Sequence, residues 1–164
     1  MLTITAVALV GVLAAAIDLR TRRVPNWLTL GTAVTGLALA TVHATPIGAA
    51  GAAWGLVVGA LVMLPGHVFG GSGAGDLKLL AAVGTLLGPG RTVSAFVYTT
   101  LAGAALALIV AAHRGQLRDT FARSTAFVRT RGANVLDIES QTVDNRFAYA
   151  PAIFIGALLA ALSA

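Results

Sequence analysis

The chain has 164 residues, of which 57% are hydrophobic and only 10% charged, against about 25% charged in an average soluble domain. So little polar surface cannot cover a water-soluble fold, and a one-domain polytopic membrane protein, residues 1–164, is the class that fits. There is no cysteine, which excludes disulfides, thiolate zinc sites and a cysteine nucleophile, and the net charge of +5 does not read as a nucleic-acid surface, because the basic residues fall between apolar runs, where they act as topology determinants.

Residues 1–17 are uninterrupted apolar or small, a run at the short end for a membrane span. A signal peptide would carry a positive n-region. No Lys or Arg precedes Arg20, so a retained helix is expected. The chain then breaks at Asp18-Leu19-Arg20-Thr21-Arg22-Arg23-Val24-Pro25-Asn26. Pro25 is costly inside a helix and pushes the preceding residue towards an extended form. The arginines anchor such a loop. Asp18 is different, because an acidic residue adds little to topology and is expensive where an apolar run meets a loop.

A second span is expected over 27–42, with Trp27 suited to an interface, then a turn at His43-Ala44-Thr45-Pro46. The third, over 47–65, carries Gly48, Gly51, Gly55 and Gly59 at helical spacing, which favours close helix approach. Residues 66–75 read as a flexible glycine-rich loop that ends in Gly70-Gly71-Ser72-Gly73-Ala74-Gly75-Asp76-Leu77-Lys78. The fourth apolar run, 77–87, is about 12 residues or roughly 18 Å of helix, short against a hydrocarbon core of about 30 Å. A helix that short, starting at Asp76, puts the carboxylate below the headgroups or thins the bilayer. Glycine-rich backbone at that depth needs protein or a wet cavity around it.

Gly88-Pro89-Gly90-Arg91 turns the chain into a fifth span over 92–112. Residues 113–147 are polar and basic. Leu117, Phe121, Thr125 and Val128 share one helical face there, the pattern of an amphipathic helix on a membrane surface, with a loop over 134–145. A sixth span over 147–162 is short and interrupted by Pro151. With six spans, Arg20, Arg22, Arg23, Lys78, Arg114, Arg118, Arg123, Arg129, Arg131 and Arg146 share one face, which is ten of the 11 basic residues, and only Arg91 lies opposite. The positive-inside rule makes that face cytoplasmic, puts both termini outside, and sets Asp18 and Asp76 on the same side.

Two such carboxylates brought together share a proton and activate water, the chemistry of an aspartic protease. The rival motifs fail. A phosphate loop needs Lys and Ser or Thr after its last glycine, and Asp76 stands there instead. The dinucleotide pattern would need glycine at 76. Asp76 as a plain helix cap accounts for the glycines but leaves Asp18 unexplained. Lys78, two residues from Asp76, does not share its helix face, and either snorkels to the interface or holds a substrate carboxylate. His43, His67 and His113 lie near span ends and no pair has metal spacing, so no metal or cofactor is expected.

Gly73-Ala74-Gly75-Asp76-Leu77-Lys78 matches the GxGDxK motif of the prepilin peptidases, the type IV leader peptidases among the GxGD intramembrane aspartic proteases. The stretch 18–26 resembles their first-aspartate motif, D-x-R-x-R-x-[IV]-P-N, and the resemblance extends over the whole chain. It implies an all-α protein of about six membrane helices in the inner membrane that cleaves prepilin leaders at the cytoplasmic face, usually after a glycine. Asp18 and Asp76 are carried over as the catalytic pair, with Gly73, Gly75 and Lys78 as substrate-binding positions. Larger members add a cytoplasmic region with Cys-x-x-Cys zinc ligands and a methyltransferase activity. This sequence has no cysteine and is similar to the small members serving Flp-type, tight-adherence pili. The expected partners are a prepilin and the bilayer, with no nucleic acid. The alternative is a small transporter or proton-relay subunit using the same carboxylates, which predicts flux without peptide cleavage.

Overall fold

The structure, a computed structural model, describes residues 1–69, 72–113 and 148–163. Six helices order the described residues: α1 (Leu2–Thr21), α2 (Asn26–Thr41), α3 (Gly48–Val68), α4 (Ala74–Leu87), α5 (Pro89–His113) and α6 (Ala150–Leu162). The fold is the expected all-α polytopic membrane architecture. Leu2–Thr21, Gly48–Val68 and Pro89–Val110 are each long and apolar enough to cross a bilayer, and α6 is a shorter apolar helix. Large side chains such as Leu9, Leu61 and Leu101 are exposed on these three helices, as lipid-facing residues are. The surface helix and loop expected over 113–147 lie outside the described residues, apart from His113, which ends α5.

The centre of the bundle is α4. Leu79 to Leu87 are buried at every position, so this helix is enclosed all round rather than on one stripe. It packs against every other helix, most extensively α3. Small residues make the approach possible. A Cβ at Gly55 would overlap the Gly84 carbonyl, one at Gly84 would overlap the Gly55 carbonyl, and one at Gly59 would stand 2.8 Å from Leu80 O. Of the four glycines read as a packing stripe, these two on α3 meet α4. A Cβ at Gly51 would touch only Ile47 at 3.2 Å, and Gly48, the first residue of α3 at φ 61°, faces open space.

Several boundaries move from their expected places, each for a local reason. α1 runs on to Thr21, so Asp18 sits in its last helical turn rather than in a loop; Arg22 stops the helix in the left-handed region at φ 55°, its N–H donating to the Asp18 carbonyl at 2.8 Å. α3 continues through Pro65 to Val68, shortening the glycine loop. α4 begins at Ala74, not Asp76, and spans about 21 Å at 1.5 Å per residue. Gly88, at φ 76°, is the single residue between α4 and α5, and Pro89 opens α5 rather than continuing a turn. Pro151 likewise does not interrupt a span. It falls in the first turn of α6, where the missing N–H costs nothing.

Candidate active site

Pro25 ends the 18–26 break and starts α2 from an extended backbone, φ −72° and ψ 143°. The break therefore folds back across the start of α4. Val24 packs on Gly75, where an added Cβ would stand 3.3 Å from Val24 Cβ and 3.6 Å from its backbone N and O. Two residues after Val24, Asn26 Oδ1 accepts from Lys78 Nζ at 3.1 Å. The two motifs read separately from the sequence are thus one assembled unit, Val24 against Gly75 and Asn26 against Lys78. These motifs carry Asp18 and Asp76, the only acidic residues among those described.

Each carboxylate is seated on the start of a helix. Asp76 occupies the third position of α4 and reaches back to accept from the Gly73 N–H at 3.0 Å. The cap reading is correct in kind, with Gly73 as the cap and Asp76 as the acid that closes it. Asp18 does the same for a helix far away in sequence. Its Oδ2 accepts from the Ala150 N–H at 3.0 Å, a buried bond across 132 residues. Ala150 is the first residue of α6, and such N–H groups have no partner within their own helix. The positive end of a helix dipole favours an anion there, by about 0.3–1 kcal/mol in exposed cases.

The two acids differ in access. Asp18 is only 5% exposed, packed between α1 and α6, whereas Asp76 is half-buried beside the exposed Gly73 and Lys78. The solvent-facing one of the two acids is therefore Asp76. Tyr149, the residue before α6, lies within reach of the Asp76 charge. Neither Tyr149 nor the Ala150 amide was among the expected site residues. The available signal was Pro151, since a proline in the first turn marks a helix start and so a set of free amides.

Of the expected substrate-binding positions, Gly73 is the cap of α4 and is exposed, and Gly75 is the contact with Val24. Lys78 is held by Asn26 at one end of an open groove of about 370 Å3 between α2, α3 and α4, lined also by Leu30, Leu56 and Leu77. The Lys78–Asn26 bond is exposed, so Lys78→Met is expected to cost only about 0.5–1.5 kcal/mol, read as a small fall in the melting temperature of the detergent-purified protein.

The fold defines a class, the polytopic helical membrane proteins. Within it the chain belongs to the type IV leader peptidase family, whose model matches residues 5–108 and so takes in both motifs. Membership makes the protein a protease, of a family that implies prepilin substrates. Neither the curated proteins nor the solved structures contain a match to the chain.

Proposed function

We propose that this chain is an aspartic endopeptidase that removes the leader peptide of a Flp-type prepilin at the cytoplasmic face of the inner membrane, with Asp18 and Asp76 as the reacting pair. The observation that carries the reading is the joining of the two motifs, Val24 on Gly75 and Asn26 on Lys78, which gathers the two acids at one end of the bundle. The cytoplasmic side follows from the ten basic residues that share a face with them. The Flp-type substrate is the one served by the small members of the family that these 164 residues resemble.

Two carboxyl groups at close range do not both ionise easily, and the resting pair holds one proton. The ionised carboxylate takes a proton from water as the water oxygen bonds to the scissile carbonyl carbon. The protonated partner donates to the carbonyl oxygen, which becomes the hydroxyl of a tetrahedral intermediate. Collapse breaks the C–N bond as a hydroxyl of the intermediate returns its proton to the carboxylate that had given one up and C=O re-forms; the leaving nitrogen takes a proton from the carboxyl that received one from water, and the pair returns to one shared proton. Gly73, which is exposed, leaves the backbone beside Asp76 free of a side chain for an extended peptide, while Gly75 gives its open side to Val24. Lys78 stands where a carboxylate of the substrate would find a cation.

The test is co-expression with a short chain from a neighbouring reading frame that carries a glycine junction before an apolar run of about 20 residues. Membranes holding both are expected to convert the precursor to the leader-less form, seen as a gel shift and a new N-terminus after the glycine. Proton or solute flux in proteoliposomes with an intact precursor would instead favour the proton-relay alternative.

A further inference from the structure

The Ala150 amide that binds Asp18 is only as well placed as the entry of α6 into the bundle, and the family match, ending at residue 108, does not reach it. Ala148 and Ala150 are buried, at 7% and 0% exposure, and the Tyr149 carbonyl already accepts from the N–H groups of Ala152 and Ile153 at 3.0 and 3.2 Å. The Tyr149 ring adds a side contact at this corner. It lies against Gly103 of α5, where an added Cβ would stand 2.6 Å from Cε2, 2.9 Å from Oη and 3.0 Å from Cζ. Real Cβ contacts do not come that close, so any side chain at 103 displaces the ring. Among the described residues the Tyr149 hydroxyl makes no hydrogen bond, so the fit on Gly103 belongs to the ring.

We propose that Tyr149 is a positioning residue for the carboxylate pair: its ring, seated on Gly103, holds the Ala150 amide in line with the Asp18 carboxylate. A rigid aromatic side chain with two rotatable bonds suits this work, since little freedom is lost in fixing it. The proposal rests on reading Asp18 as one of the reacting acids. A displacement of about 1 Å at such a group can cost about a hundredfold in rate.

The probe is a synthetic peptide spanning the leader junction and apolar segment of a Flp-type prepilin, with the full-length enzyme purified in detergent. Tyr149→Ala and Gly103→Ala are each expected to lower kcat about 10- to 100-fold with KM nearly unchanged. Tyr149→Phe keeps the wild-type kcat, and the double variant is no slower than Tyr149→Ala alone, because both changes break one contact. A Tyr149→Phe enzyme as slow as Tyr149→Ala, or Gly103→Ala at full rate, overturns the clamp. A second readout does not need activity. If the ring holds the amide on Asp18, the melting-temperature losses of Tyr149→Ala and Asp18→Ala together fall short of their sum, and additive losses reject the clamp. Wild-type enzyme that leaves the peptide intact counts against the peptidase reading, while the melting cycle still decides on Tyr149.

Discussion

Asp18→Asn and Asp76→Asn are each expected to stop leader removal, by at least about 10²- to 10⁴-fold, the range that positioned proton transfer contributes. The substitution is chosen for what it leaves intact. The side-chain amide of asparagine keeps an oxygen in place, so Asn at 18 still accepts from Ala150 N–H, and Asn at 76 still accepts from Gly73 N–H. The helix starts stay capped and the protein inserts in normal amount. What disappears is the group that takes and returns a proton. Alanine separates the two roles further. Asp18→Ala leaves a buried N–H without its acceptor, a cost of about 1–3 kcal/mol, and is expected to lower the melting temperature as well as activity. Asp76→Ala, whose bond to Gly73 is exposed, costs less stability and as much activity. Gel-shift assays on membranes, paired with melting of the purified protein, read both. Either asparagine variant cleaving at the wild-type rate would end the paired-acid mechanism.

How far the site could be read from the chain depends on the reach of each signal. Hydropathy located all six helices of the described residues, because the cost of burying polar groups in lipid is written residue by residue. It misplaced their ends, because ends are set by backbone geometry. Arg22 in the left-handed region, Gly88 at φ 76° and prolines in the first turns of α5 and α6 determine where helices stop and start. The acids were legible for the same reason as the spans: a carboxylate at the edge of an apolar run has to be accounted for. The partner of Asp18 was not legible. It is a backbone amide 132 residues away, at an alanine, and an amide leaves no mark in the residue type. The pairing of Val24 with Gly75 is of the same sort, since each residue looks ordinary until the other is beside it.

The second large effect is predicted at the crossing of α3 and α4, where one substitution type should act with opposite signs at two glycines. Gly31 lies on α2 with nothing within 4 Å of an added Cβ. Alanine there relieves the glycine penalty in a helix, about 0.5–1 kcal/mol, and is expected to raise the melting temperature slightly. Gly84 is the other extreme, because a Cβ there would overlap the Gly55 carbonyl. That oxygen is backbone, inside a helix, and cannot swing aside as a side-chain tip would. Relief requires α3 and α4 to move apart along the most extensive contact in the bundle, so Gly84→Ala is expected to cost at least about 1–3 kcal/mol despite its better helix propensity. Gly84→Leu should fail to accumulate in membranes. α4 also carries Asp76 and the Lys78 contact with Asn26, so separation loosens the site, and Gly84→Ala should lose cleavage activity at temperatures where the wild type is still folded. Melting curves of Gly31→Ala and Gly84→Ala beside the wild type decide the point. Equal, small shifts at 31 and 84 would mean that the two helices are not in backbone contact, and that the centre assigned to α4 is wrong.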